Sequence, residues 1–138
     1  MTDAGVERFV EAQDRVWETV RFELRAGRKQ SHWMWFVFPQ IAGLGHSATA
    51  RYYAIANLDE ARAYLRHPVL GPRLAECTRL VNAVEGTTIE AIFGYPDYLK
   101  FHSSMTLFAA ADPANEFFPT ALAKYFEGRR DEATLSRL

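Results

Sequence analysis

Apolar residues that recur every three or four positions, with no stretch of strict alternation, limit this chain to helical architectures. From Val6 they fall at Phe9, Val10, Val16, Trp17, Val20 and Leu24, while Glu7, Arg8, Glu11, Asp14, Glu18, Arg21 and Arg25 take positions between them. That spacing gathers the apolar set on one helical face. It predicts a single long amphipathic helix stopped at Gly27. Gln13 lies four residues from both Phe9 and Trp17 and so points inward with them. A buried amide needs several partners, so Gln13 either ties down neighbouring backbone or faces a polar cavity.

The same period continues along the chain. Asn57-Leu58-Asp59-Glu60 has the form of an N-cap followed by an acidic residue, opening a helix through Ala61, Tyr64 and Leu65. His67-Pro68 interrupts it, and Leu74, Cys77, Leu80, Val81 and Val84 carry a further stripe to Gly86. Thr87-Thr88-Ile89-Glu90 reads as a second capping box, for a short helix ending near Phe93-Gly94. Pro96 begins another helix, running to Ala110 and halted before Asp112-Pro113. A last helix carries Leu122, Tyr125 and Phe126 and stops at Gly128, with a short helical tail after Asp131. The run Trp33 to Phe38 fits a buried strand as well as a short helix. A helix is favoured, because nothing else in the chain offers a strand partner. The expectation is a mainly α protein, a compact multi-helical orthogonal bundle in which residues 1–138 form a single domain. A chain of 138 residues is long enough for one such core.

Composition and charge remove several functional classes. With 49% hydrophobic residues and a net charge of -1, neither disorder nor a general polyanion-binding surface is favoured. The basic runs Arg25-Ala26-Gly27-Arg28-Lys29 and Arg129-Arg130 are short and read as solvated helix ends, so no nucleic-acid partner is expected. Cys77 is the single cysteine, which excludes an internal disulfide and a Cys-pair zinc site. His32, His46, His67 and His102 show no His-x-x-x-His spacing, so neither a metal nor another cofactor is expected. The N-terminus lacks the basic and apolar regions of a secretory leader, and no apolar run nears the roughly 20 residues that span a bilayer. The expected setting is the cytoplasm, without a membrane partner, as a monomer or weak homo-oligomer.

Chemistry concentrates in two stretches. In the helix after Pro96, the residues Asp97, Lys100, Ser103 and Ser104 follow one another at helical steps on one face, while Phe101, Met105 and Phe108 share another. A lysine four residues before a serine can act as a base toward its hydroxyl. The plainer reading is an Asp97–Lys100 pair in solvent. In the second stretch His32 opens an aromatic run containing Trp33, Trp35, Phe36 and Phe38, residues that serve equally as core or as a stacking wall. Gly43-Leu44-Gly45-His46-Ser47 can present backbone N–H groups to an anion, although it matches neither a P-loop nor the dinucleotide fingerprint.

These stretches carry a resemblance. "RFVEAQ", "GRKQSHWMWFVFPQIAGLG", "EARAYLRHPVLGPRL" and "IFGYPDYLKFHSSMTLFA" resemble the successive blocks of a bacterial family catalogued as domain of unknown function 1810, some members of which are mislabelled calpastatin. The likeness runs from Arg8 to Leu135, and HWMWFxFPQ together with KxxSSMTLF makes it specific. It implies a compact, mostly α-helical single domain and implies no activity. The family's recurring blocks include Gln13, Lys29, His32, Trp33, Trp35, Pro39, Gln40, Gly43, Gly45, Ser47, Pro96, Asp97, Lys100, Ser103, Ser104 and Thr106. The aromatics have a packing reason to recur; the polar residues do not.

Two functions follow as expectations. In the first, His32, Asp97, Lys100 and Ser104 are catalytic candidates. Gln13, Lys29, Trp33, Trp35, Gln40, Gly43, Gly45, Ser47, Ser103 and Thr106 would bind a small anionic or nucleotide-like ligand. Any reaction would be hydrolysis or group transfer, with His32 or Asp97 as acid/base and Lys100 stabilising charge. In the second, the same polar residues form a buried network in a non-catalytic interaction module.

Overall fold

The computed structural model describes residues 4–138. After a turn of 3-10 helix at Ala4–Val6, ten α-helices follow: α1 Glu7–Asp14, α2 Trp17–Arg25, α3 Met34–Val37, α4 Ala48–Tyr52, α5 Leu58–Arg66, α6 Leu70–Ala83, α7 Ile89–Phe93, α8 Asp97–Ala111, α9 Phe117–Phe126 and α10 Glu132–Leu135. Among the described residues there is no strand; one isolated parallel bridge joins Ile41 to Ile55. The run Trp33–Phe38 contains the short helix α3, as its lack of a strand partner led us to expect.

The expected long first helix is two helices. Val16, at φ -130° and ψ 11°, leaves the helical region and separates α1 from α2. The break follows from packing: α1 lies on α3, whereas α2 lies on α6. A change of direction at Val16 lets Phe9 and Gln13 of α1 and Val20 and Leu24 of α2 all be buried while the two helices pack on different neighbours. Arg73 of α6 clasps the joint, pairing with Asp14 at 2.8 Å and lying 4.8 Å from the Trp17 ring centre.

Caps fix the remaining starts. Asn57 Oδ1 accepts from Glu60 N–H at 2.9 Å, and the Glu60 carboxylate accepts from Ala56 N–H at 2.7 Å. At α7 the cap is Thr88, whose hydroxyl accepts from Ala91 N–H at 3.1 Å; the box expected from Thr87 is shifted by one residue. The interruption at His67-Pro68 is a tight corner. There His67 Nδ1 accepts from Val69 and Leu70 N–H at 3.1 and 3.3 Å, capping α6 with an imidazole, while Nε2–H is donated to Glu7 at 2.9 Å. Gly71 is required at this corner, because a Cβ there would sit 2.1 Å from the Leu65 carbonyl oxygen.

α8 is the central element, packed by α5, α7, α9 and α10. Nine of its residues are buried, between Phe101 and Ala111, Ser103, Ser104 and Thr106 among them, so it is enclosed on nearly every side. One continuous core includes Phe9, Trp33, Phe38, Tyr64, Phe101, Phe108 and Phe118. Phe38 stands edge-on to both Phe93 and Phe101, which ties the aromatic segment to α7 and α8.

Candidate functional site

The site starts from a carboxylate that faces inward. Glu23 lies three residues after Val20 on the apolar side of α2, and it is buried. Its Oε1 accepts from Gln30 N–H at 2.9 Å, Ser31 N–H at 3.1 Å and the Trp33 indole N–H at 2.9 Å, while Oε2 accepts from the Ser31 hydroxyl at 2.5 Å. Burial works to raise its pKa, but the Ser31, Gln30 and Trp33 hydrogen bonds outweigh burial and hold the carboxyl below the usual glutamate value. The segment after α2 is thereby pinned at residues 30, 31 and 33, and Lys29 N–H is held by the Ile92 carbonyl at 2.7 Å.

With its backbone fixed on both sides, Lys29 reaches the first turn of α8. Its ammonium meets Asp97 Oδ2 at 2.7 Å, with only 7% of the side chain exposed. Lys100, one turn along α8, lies 3.6 Å from Asp97 Oδ1 and 4.9 Å from the Trp35 ring centre. Two ammoniums thus share one carboxylate. They line a cleft of about 310 Å³ whose other walls include Ser31, His32, Trp35 and Pro96. A second cleft, also about 310 Å³, lies against Pro96 and Lys100 and is walled by Gln40, Leu44, Gly45, Leu99, Ser103 and Asp131.

Of the residues expected from sequence, Lys29, His32, Trp35, Asp97 and Lys100 come together in the first cleft, and Gln40, Gly45 and Ser103 flank Lys100 in the second. The rest lie elsewhere. Trp33 is fully buried and spends its polar atom on Glu23, so the stacking face available in the cleft is that of Trp35. Gln13 is 1% exposed; its amide donates to the Phe36 carbonyl at 2.7 Å and to Tyr64 Oη at 3.0 Å and accepts from Arg73 at 3.4 Å. It ties backbone down and borders neither of these clefts.

α8 separates the side chains that its helical wheel groups together. Asp97 and Lys100 face the cleft. Ser104 is buried with no hydrogen-bond partner among the described residues, so Lys100 does not approach its hydroxyl. Ser103 donates to Asp131 at 2.8 Å, and the Thr106 hydroxyl accepts from Asp131 N–H at 2.9 Å, so both dock the segment that leads into α10. The glycine loop is shaped by packing as well. Gly43 has φ 101°, and a Cβ on it would lie 2.2 Å from the Arg137 guanidinium; one on Gly45 would lie 2.5 Å from Ala50. Ser47 caps α4 through Ala50 N–H at 3.1 Å.

Glu23 and Asp131 lie outside the residues expected from sequence. Glu23 had a signal, a charge between Val20 and Leu24 on an apolar face. Asp131 had none, since its role depends on Ser103 and Thr106 arriving from α8.

Among the described residues, no helix is long and apolar enough to cross a membrane and no group of three or more His, Cys, Asp or Glu side chains is placed to hold a metal ion. No curated protein matches this sequence. The crystal structure of the conserved hypothetical protein Rv1873 from Mycobacterium tuberculosis is similar throughout, with a TM-score of 0.95 at 59% identity over 96% of this chain and 95% of that one. The family model described as protein of unknown function (DUF1810) matches residues 3–138, and the chain belongs to that family.

Proposed function

We propose that the cleft between the 29–35 segment and the start of α8 binds a small anionic ligand, of the phosphate, carboxylate or nucleotide-like class. The observation that carries this reading is the Lys29–Asp97–Lys100 cluster. Two ammoniums converge on one carboxylate, one of them with only 7% of its side chain exposed. Buried charge is ordinarily matched by a partner, and here one positive charge is left over beside a cleft. An anion would supply the match. Lys100 rests over Trp35, so its movement toward a ligand would free the indole face for stacking.

Asp97 and His32 line the cleft and are able to exchange a proton, so a hydrolysis or transfer reaction on the bound anion would use them. The competing reading, a non-catalytic interaction module, draws on Gln13, whose amide is paired inside the protein rather than offered to a cleft.

A thermal-shift screen against nucleotides, sugar phosphates and small carboxylates separates the two readings, with Lys29→Met and Lys100→Met run in parallel. A ligand at a hundred times its dissociation constant stabilises the native state by about 2.7 kcal/mol. The expected result is a shift in the parent protein that both variants lose. No shift from any of these anions overturns the reading in favour of the interaction module.

A further inference from the structure

The two clefts beside α8 differ in chemistry and share a wall. Each measures about 310 Å³, near the small end of the roughly 300–1,000 Å³ typical of ligand sites, and Pro96 and Lys100 border both. We propose that they are halves of one site for a hydroxylated anion, a sugar acid or a sugar phosphate. Its acid group would sit by Lys29 and Lys100, and its hydroxyl-bearing body would cross Pro96 into the cleft beside Gln40 and Asp131. This rests on the anion-binding reading above and extends it to the rest of the ligand.

The second cleft is built for hydrogen-bond donors on a partly apolar body. Leu44, Leu99 and Ala133 supply its apolar surface. Asp131 Oδ2 is occupied by the Ser103 and Thr134 hydroxyls at 2.8 and 2.6 Å, which leaves Oδ1 without a partner among the described residues. The Gln40 carbonyl accepts from Ile55 N–H at 2.9 Å, while its half-buried side-chain amide borders the cleft and makes no bond among those residues. An unpaired carboxylate oxygen and a free amide suit hydroxyl groups, which can both donate and accept. The Asp131 charge also opposes a second anion, so the ligand must be asymmetric, acidic at one end only. Lys100, the cation common to both halves, fixes which end goes where.

Calorimetric titrations test this with inorganic phosphate, acetate, ribose, ribose 5-phosphate and ribonate as probes. One or two added hydrogen bonds predict that a sugar anion binds about tenfold more tightly than the matching bare anion. Comparing phosphate with ribose 5-phosphate, and acetate with ribonate, identifies which acid group is preferred. Ala133→Phe, at an exposed position, fills the second cleft and should erase the tenfold advantage while leaving bare-anion binding unchanged. Gln40→Leu should act in the same direction from the opposite wall.

Sugar anions that bind no more tightly than bare anions, or an advantage that survives both variants, would overturn the two-part site and leave the anion reading standing. If none of the anions binds the parent protein, the anion reading itself fails and the two-part site with it. Binding of either sugar anion that is lost in Lys29→Met and weakened in Ala133→Phe supports both.

Discussion

The indole of Trp33 donates its N–H to the carboxylate of Glu23 at 2.9 Å, inside the protein and away from solvent. An aromatic residue offered by the sequence as a ligand wall is therefore part of the scaffold. Its partner carboxylate aligns the segment from which Lys29 and Trp35 enter the cleft.

Glu23→Gln removes a charge that four donors surround and turns an amide N–H toward some of them. Hydrogen bonds to a charged group contribute about 1.5–3 kcal/mol each, so a loss of about 2–3 kcal/mol is expected in urea unfolding. The substitution also has a pH signature. Because the folded carboxyl is held below its unfolded value, its contribution is complete above the ordinary glutamate pKa and disappears as the pH falls through the folded value. The parent protein should lose stability in that acidic range more steeply than the variant. Parallel profiles would show that Glu23 is not the group responsible.

Gln13→Leu keeps the volume and removes the amide, leaving the Phe36 carbonyl without the donor it has at 2.7 Å. An orphaned buried acceptor costs about 1–3 kcal/mol, which a shift in the urea midpoint would report. Stability equal to or above that of the parent would mean the network is dispensable.

Neighbouring serines on α8 should respond in opposite ways. Ser104 has a buried hydroxyl with no partner among the described residues, so Ser104→Ala should be neutral or raise stability by up to about 1 kcal/mol. Ser103→Ala cuts the 2.8 Å bond to Asp131, and hydrogen exchange should then speed up across residues 129–138. Any binding defect in Ser104→Ala would contradict its separation from the cleft.

The Cys77 thiol is buried, and burial pushes its pKa far up, so it is held protonated. It should resist alkylation in the native protein at mildly alkaline pH and react promptly once the chain is unfolded. Rapid labelling of the folded protein would show that the α6 face opens readily.

The sequence by itself determined the helical class and the Asn57 cap; it favoured a helix within Trp33–Phe38, where α3 occupies Met34–Val37, and it named five residues that line the first cleft. Spacing of three and four residues, and the pairing of a cap with its own helix, are local properties that a sequence displays directly. Only the tertiary structure decided the break at Val16, the burial of Trp33 in place of Trp35, and the division of the α8 polar residues among a cleft, a docked segment and the core. Each of those depends on what arrives from a distant part of the chain. Arg73 and α6 reach the α1–α2 joint, Glu23 reaches the indole, and Asp131 reaches Ser103. A polar side chain on a helix is spoken for or free according to partners that its own periodicity cannot name.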